Sequence, residues 1–151
     1  VTTRVLGPGE GERVYRARGS VMFFKALAEQ DGGDLSVMER TLPPGGRRPP
    51  AHRHTNCSEA YFVLDGAVAV VIEGVEHRLG PEQFILVPRG VAHTFGNAGD
   101  DPARLLVIHA PAMDGYFAGL HELWQRDEPP TVDEERSLMA RFAMDPATFE
   151  G

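Results

Sequence analysis

His52, His54 and Glu59 fall within eight residues of one another beyond a Pro-rich turn, and His93 follows in a second turn-rich segment between Pro88 and Asn97. Three imidazoles and one carboxylate form a donor set for a first-row divalent ion, because neutral imidazole nitrogen and carboxylate oxygen suit Fe, Mn, Co, Ni, Cu and Zn alike. If residues 52 to 54 are extended, His52 and His54 project to one face and Arg53 to the other. Glu59, after a short loop, supplies a third side of a coordination sphere, and His93, from a separate strand, closes the fourth. Positions left to water are then open to a substrate or to O2.

Such a set works only if a scaffold carries the two segments together. Val21 to Leu27 is apolar and aromatic, a pattern that fits a strand and equally a short helix. Leu35 to Leu42 alternates as a half-buried strand and stops at Pro43-Pro44-Gly45-Gly46. Ala60 to Leu64 and Ala67 to Ile72 flank Asp65-Gly66, which predicts a hairpin. Glu73-Gly74 turns into Val75 to Leu79, and Phe84 to Val87, Ala92 to Phe95 and Arg104 to His109 complete the series. Short strands at this spacing, with no crossover helix between them, predict an all-β sandwich or barrel. Residues 1 to 20 read as an extended lead-in that pairs with a sheet edge, and residues 21 to 111 as the β-domain.

The pattern changes over residues 112 to 151, where Phe117, Leu120 and Trp124 recur at the helical period. Past Pro129-Pro130, Asp133 is positioned to cap a second helix running to Phe142. Both helices are expected to pack on the sheet or across its mouth.

Composition excludes several classes of partner. Residues 1 to 111 carry 12 Lys+Arg against 13 Asp+Glu, and residues 112 to 151 carry 3 against 9, so the acidic tail supplies six of the seven net negative charges. A near-neutral body with an acidic tail offers no basic footprint for nucleic acid or an anionic membrane. No apolar run reaches the roughly 18 residues of a membrane span, and the N-terminal residues lack the apolar core of a signal peptide. The single Cys57 forms no intrachain disulfide, which fits a reducing compartment and predicts a cytoplasmic address.

The first segment reads Gly46, five residues, His52-Arg53-His54, four residues, Glu59, six residues, Gly66; the second reads Pro88-Arg89-Gly90, two residues, His93, three residues, Asn97. Together they resemble the two motifs of the cupin superfamily, and the chain is similar to quercetinase-like single-domain cupins, in which helices likewise follow the barrel. One departure stands out, since the family usually has Gly six residues before the Pro and this chain has Glu82. The resemblance implies a double-stranded β-helix with short C-terminal helices. It implies that His52, His54, Glu59 and His93 hold one divalent transition metal ion, Fe, Mn, Ni, Co, Cu or Zn, with the substrate in the barrel interior above it. Glu59 would be catalytic as ligand or as general base. Strand alternation nominates Tyr61, Val63, Phe95 and Asn97 as inward-facing, and Met38 or Arg40 on the preceding strand as further lining. A homodimer through an N-terminal strand or sheet edge is expected, as many relatives form.

Simpler roles go to the remaining candidates. His77, His109 and His121 read as surface or core histidines, with His109 placed at a strand end where it could face the pocket. Cys57 reads as a buried, inert thiol, Arg47 and Arg48 as a solvated corner, and the tail carboxylates as a solvated face. Three functions share the ligand set: a dioxygenase-like oxidoreductase acting on a phenolic, flavonoid-like or dicarbonyl substrate; a non-redox isomerase or cyclase using the ion as a Lewis acid on a polyketide-like substrate; and a non-catalytic binding barrel.

Overall fold

Alternating burial and a few left-handed turns account for most of the architecture of the computed structural model, which describes residues 3 to 149. In chain order the elements are β1 (Arg13–Ala17), β2 (Ser20–Ala26), the one-turn helix α1 (Ala28–Asp31), β3 (Ser36–Leu42), β4 (His52–His54), β5 (Ser58–Asp65), β6 (Val68–Ile72), β7 (Val75–Leu79), β8 (Phe84–Val87), β9 (His93–Asn97), β10 (Ala103–Ala110), α2 (Asp114–Trp124), α3 (Val132–Ala140) and β11 (Met144–Pro146). They form a six-stranded sheet in the order β1-β2-β3-β10-β5-β8 and a five-stranded sheet in the order β11-β4-β9-β6-β7. Every strand pairing is antiparallel. This is the predicted all-β, double-stranded β-helix architecture with short helices appended.

Inward residues recur with period two and meet between the sheets. On β10 Ala103, Leu105, Val107 and His109 are buried, and Leu105 and Val107 lie level with Val63 and Tyr61 of β5 and with Arg40 and Met38 of β3. Met22, Phe24, Met38, Val63, Val68 and Val70 are essentially inaccessible to solvent, so that part of the interior is packed core.

The turns both confirm and correct the sequence reading. Glu73-Gly74 joins β6 to β7 with positive φ at both residues, the geometry a two-residue hairpin requires. Asp65-Gly66, predicted to be a hairpin, instead carries the chain from one sheet to the other, since β5 and β6 lie in different sheets. Gly66 has φ +81°, and a Cβ there would stand 2.9 Å from the Pro102 carbonyl oxygen. A close crossing needs glycine for the same reasons a hairpin does, so the dipeptide alone does not distinguish them. Glu82 adopts φ +66°, and its N–H donates to the Val63 carbonyl at 2.8 Å. The usual glycine position thus keeps its left-handed turn with a glutamate in it.

At the N-terminus the lead-in does pair with a sheet edge, as β1 on β2. Residues before it lie against the outer sheet face, where Glu39 accepts from the Gly9 N–H and pairs with Lys25. At the C-terminus the predicted cap is corrected: Thr131, not Asp133, caps α3, accepting from the Glu134 N–H while Glu134 accepts from the Thr131 N–H. This reciprocal box satisfies two free donors, which an Asp133 cap would not. No helix among the described residues is long and apolar enough to cross a membrane.

Candidate metal centre

Three imidazoles come from one sheet and a carboxylate faces them from the other. His52 and His54 are the two inward residues of β4, and His52 lies directly opposite His93 of β9. Glu59 follows the short loop of residues 55 to 57, as expected, as the second residue of β5, and it pairs in register with His109 of β10. All four nominated donors are buried, and one atom from each lies within 4.8 Å of the others. His52 and His93 ring centroids are 4.5 Å apart, and His52 and His54 centroids 4.9 Å.

Backbone carbonyls orient two of these rings. Nδ1 of His52 is 2.8 Å from the Pro50 carbonyl oxygen, and Nδ1 of His93 is 2.9 Å from that of Val91. A carbonyl only accepts, so each Nδ1 carries the proton and each Nε2 is directed toward the cluster. Such anchoring is how histidine ligands are commonly held. Nε2 of His54 and Nε2 of His93 lie 2.7 Å and 3.0 Å from Oε2 of Glu59. The His54 Nδ1 is buried with no hydrogen-bond partner among the described residues.

The other oxygen of Glu59 is held separately. The Tyr61 hydroxyl donates to Oε1 at 2.5 Å, and Nε2 of His109 lies 3.4 Å from the same atom. Burial alone would raise the Glu59 carboxyl, but His109, His54 and His93 together hold it well below the usual carboxylate range. Burial, then the adjacent Glu59 charge, pushes the Tyr61 phenol well up, so it remains a donor. His52 is pushed down to about 3 by burial and by the neighbouring imidazoles, which keeps it neutral. Burial would also lower His93, but its bond to Glu59 raises it above the ordinary histidine value.

A cavity of about 20 Å³ adjoins this cluster, lined by His52, His54, Glu59 and His109 together with Arg18, Arg40, Pro49, Phe95, Tyr116, Phe117 and Met144. Phe95 and Arg40 line it. Met38 and Val63 do not: alternation turns them inward as expected, but at their level the interior is solid core. Tyr61 likewise contributes its hydroxyl to Glu59 rather than a wall. Asn97 shapes a turn, donating to the Leu42 and Asp101 carbonyls.

Several residues given simple roles prove otherwise. His109 is 1% exposed and faces the cluster; its signal was its place as the last inward residue of a strictly alternating strand. Met144 reaches the cavity from β11, an unpredicted three-residue strand that pairs with β4. Arg47 is not free in a solvated corner: it donates to the Pro130 carbonyl and to Glu135, and lies over the Trp124 ring. Glu135 departs from the solvated-face reading because it is fully buried, accepting from Arg18, Trp124 and Arg47. Cys57 is buried as expected, and burial pushes its thiol up to about 12. His77 is exposed, and His121 accepts from the Arg16 N–H.

Comparison with known proteins agrees with this geometry. Residues 38–109 match the family described as Cupin domain. The chain is 39% identical over 96 residues to protein SchB of Streptomyces halstedii, covering 64% of this chain and 70% of that one. It is 32% identical to germin-like protein 1 of Brassica napus, with 72% and 54% covered. To quercetin 2,3-dioxygenase of Bacillus subtilis it is 24% identical, with 93% and 42% covered. The chain thus spans about half the length of the germin-like relatives it matches. A solved structure described as a predicted oxalate decarboxylase from Thermotoga maritima superposes with a TM-score of 0.58 at 20% identity, covering 68% of this chain and 92% of that one, which bears on fold alone. With the motif residues gathered at one end of a double-stranded β-helix and the family match running from β3 to β10, the chain belongs to the cupin family.

Proposed function

We propose that this cupin holds one divalent transition metal ion through His52, His54, Glu59 and His93 and acts as a dioxygenase-like oxidoreductase. Its substrate would be a small molecule presenting an enol, phenol or dicarbonyl oxygen. The observation that carries this reading is the convergence of four buried donors, two of them anchored through Nδ1 so that Nε2 faces the cluster. The donor chemistry fits such an ion: three nitrogens and one ionised carboxylate suit first-row metals. The likeness to a quercetin 2,3-dioxygenase, which extends over most of this chain, supports the oxidative choice.

When bound, the ion would supply Lewis acidity and, for a redox-capable metal, electron transfer with O2. The chain's own residues have separate tasks. Tyr61 fixes Glu59 through Oε1 and leaves Oε2 toward the imidazoles. Nε2 of His109 lies beside Oε1 on the cavity wall, where it would orient a substrate hydroxyl. Phe95, Phe117 and Met144 supply the apolar part of the same cavity's lining, which would strengthen polar contacts inside it.

The test is turnover of phenols, 1,3-diketones and polyketide-like carbonyl compounds by metal-loaded protein with and without O2. The proposal expects product only in air, with O2 consumed in proportion. Full activity with Zn²⁺ under anaerobic conditions would overturn it in favour of the non-redox isomerase or cyclase.

The reading includes a homodimer and a cytoplasmic address. Support for the dimer lies at β8, an edge strand on which Phe84 and Leu86 are 59% and 50% exposed. The single cysteine, buried and unpaired, supports a reducing compartment.

A further inference from the structure

Two buried guanidinium groups share the cavity beside the histidines. Arg18 is 6% exposed and Arg40 2%. Both line the cavity that reaches Glu59, His52 and His54, and both line a second, smaller one beneath Pro43 and Gly46. Arg18 donates through Nε to Glu135 at 2.9 Å, but its Nη2 is buried without a hydrogen-bond partner among the described residues. Arg40 donates through Nε to the Ser20 hydroxyl at 3.0 Å, has no carboxylate within ion-pair distance among the described residues, and lies 5.1 Å over the Phe95 ring.

Of the two buried cations only Arg18 has a carboxylate partner, Glu135, which it shares with the solvent-exposed Arg47; Arg40 has none among the described residues. A buried cation without an anionic partner is costly, and a second cation beside it adds to the cost. Burial and the adjacent Arg18 push Arg40 down only to about 10, so it remains charged at neutral pH. Arg18 also sits at φ +54° in the two-residue β1–β2 turn, a left-handed conformation that strains a residue with a Cβ. That backbone delivers a long cation inward where Asn or Gly would have made the turn without strain.

We propose that Arg18 and Arg40 form an anion subsite that receives a carboxylate of the substrate, so that the substrate is a compact organic acid carrying a second oxygen for the metal. This inference rests on the reading of the histidine cluster as a metal centre. The planar guanidinium fork suits a carboxylate. The cavity of about 20 Å³ has room for little more than one water, so its lining must shift to admit even a short acid, and a polycyclic phenol would demand far more. One group of the acid meets the two arginines and another meets the ion.

Pyruvate and its neutral isostere pyruvamide are the probes, titrated calorimetrically into Co²⁺-loaded protein. Pyruvate is expected to bind at least about tenfold more tightly, the ratio set by one charge-assisted contact. Arg40→Gln should remove that preference without altering Co²⁺ content, and Arg40→Lys should restore part of it. Equal affinities, no pyruvate binding at about 10 mM, or an unchanged preference in folded Arg40→Gln would each overturn the subsite. If Arg40→Gln fails to fold, the wild-type ratio decides. Absence of Co²⁺ binding overturns the metal reading instead, and the same ratio in metal-free protein still tests the arginines.

Discussion

Glu59 divides its two oxygens between two tasks, and the proposed centre depends on that division. Oε2 meets His54 and His93, while Oε1 is occupied by the Tyr61 hydroxyl. Tyr61→Phe should therefore loosen the carboxylate without removing a proposed ligand. The loss of one hydrogen bond to a buried charge costs about 1.5 to 3 kcal/mol in denaturant unfolding, and a supporting contact of this kind is worth about 10- to 100-fold in metal affinity. Unchanged metal affinity in Tyr61→Phe would show that Glu59 needs no such support. The pH dependence follows from His93. Its Nε2 holds a proton above the ordinary histidine value because of Glu59, and that proton must leave before the nitrogen can serve as a ligand. Metal affinity should accordingly rise as the pH passes upward through and beyond the ordinary histidine range, as direct titration would measure. The nominated donors were legible as residues because period-two alternation and motif spacing concern local sequence. His109 was harder to see, since nothing local distinguishes an inward histidine over a cavity from one over packed core.

At the scale of elements, one buried carboxylate gathers cations from the barrel onto the C-terminal segment. Glu135 of α3 accepts from Arg18 in the β1–β2 turn, from Trp124 of α2 and from Arg47 in the Pro-rich turn. Glu135→Ala leaves Arg18 buried and uncompensated, and should cost about 3 to 5 kcal/mol in denaturant unfolding. A loss below about 1 kcal/mol would mean that the network behaves like a surface pair. Composition presented this glutamate as one of nine acidic residues in a tail, because the partners that bury it come from distant parts of the chain. β11 was hidden for a related reason: a three-residue strand carries almost no periodicity and exists through pairing with β4. Asp65-Gly66 was read as a hairpin because a sheet crossing and a tight turn both favour glycine with positive φ. Both helices were readable from their own sequence, apart from the choice between Thr131 and Asp133 as cap.

For the whole molecule, two sheets facing each other bring imidazoles from one and a carboxylate from the other to the same end. The core fills the interior at the level of Met38 and Val63, which leaves a small cavity rather than an open barrel. The outer face at β8 is the complementary feature, with Phe84 and Leu86 exposed on a strand whose far edge is unpaired among the described residues. The proposed homodimer should therefore fall to monomer in a Phe84→Glu, Leu86→Lys double variant by light scattering, with metal content unaffected. A wild type that is monomeric at high concentration would contradict the dimer and leave the centre untouched. The most direct measurement is elemental analysis of the purified protein and of His52→Ala and His93→Ala after equilibration with divalent transition metals. The account predicts about one ion per chain in wild type and most of it lost in folded variants. Wild type that takes up no ion, or variants that keep a full equivalent, would contradict it.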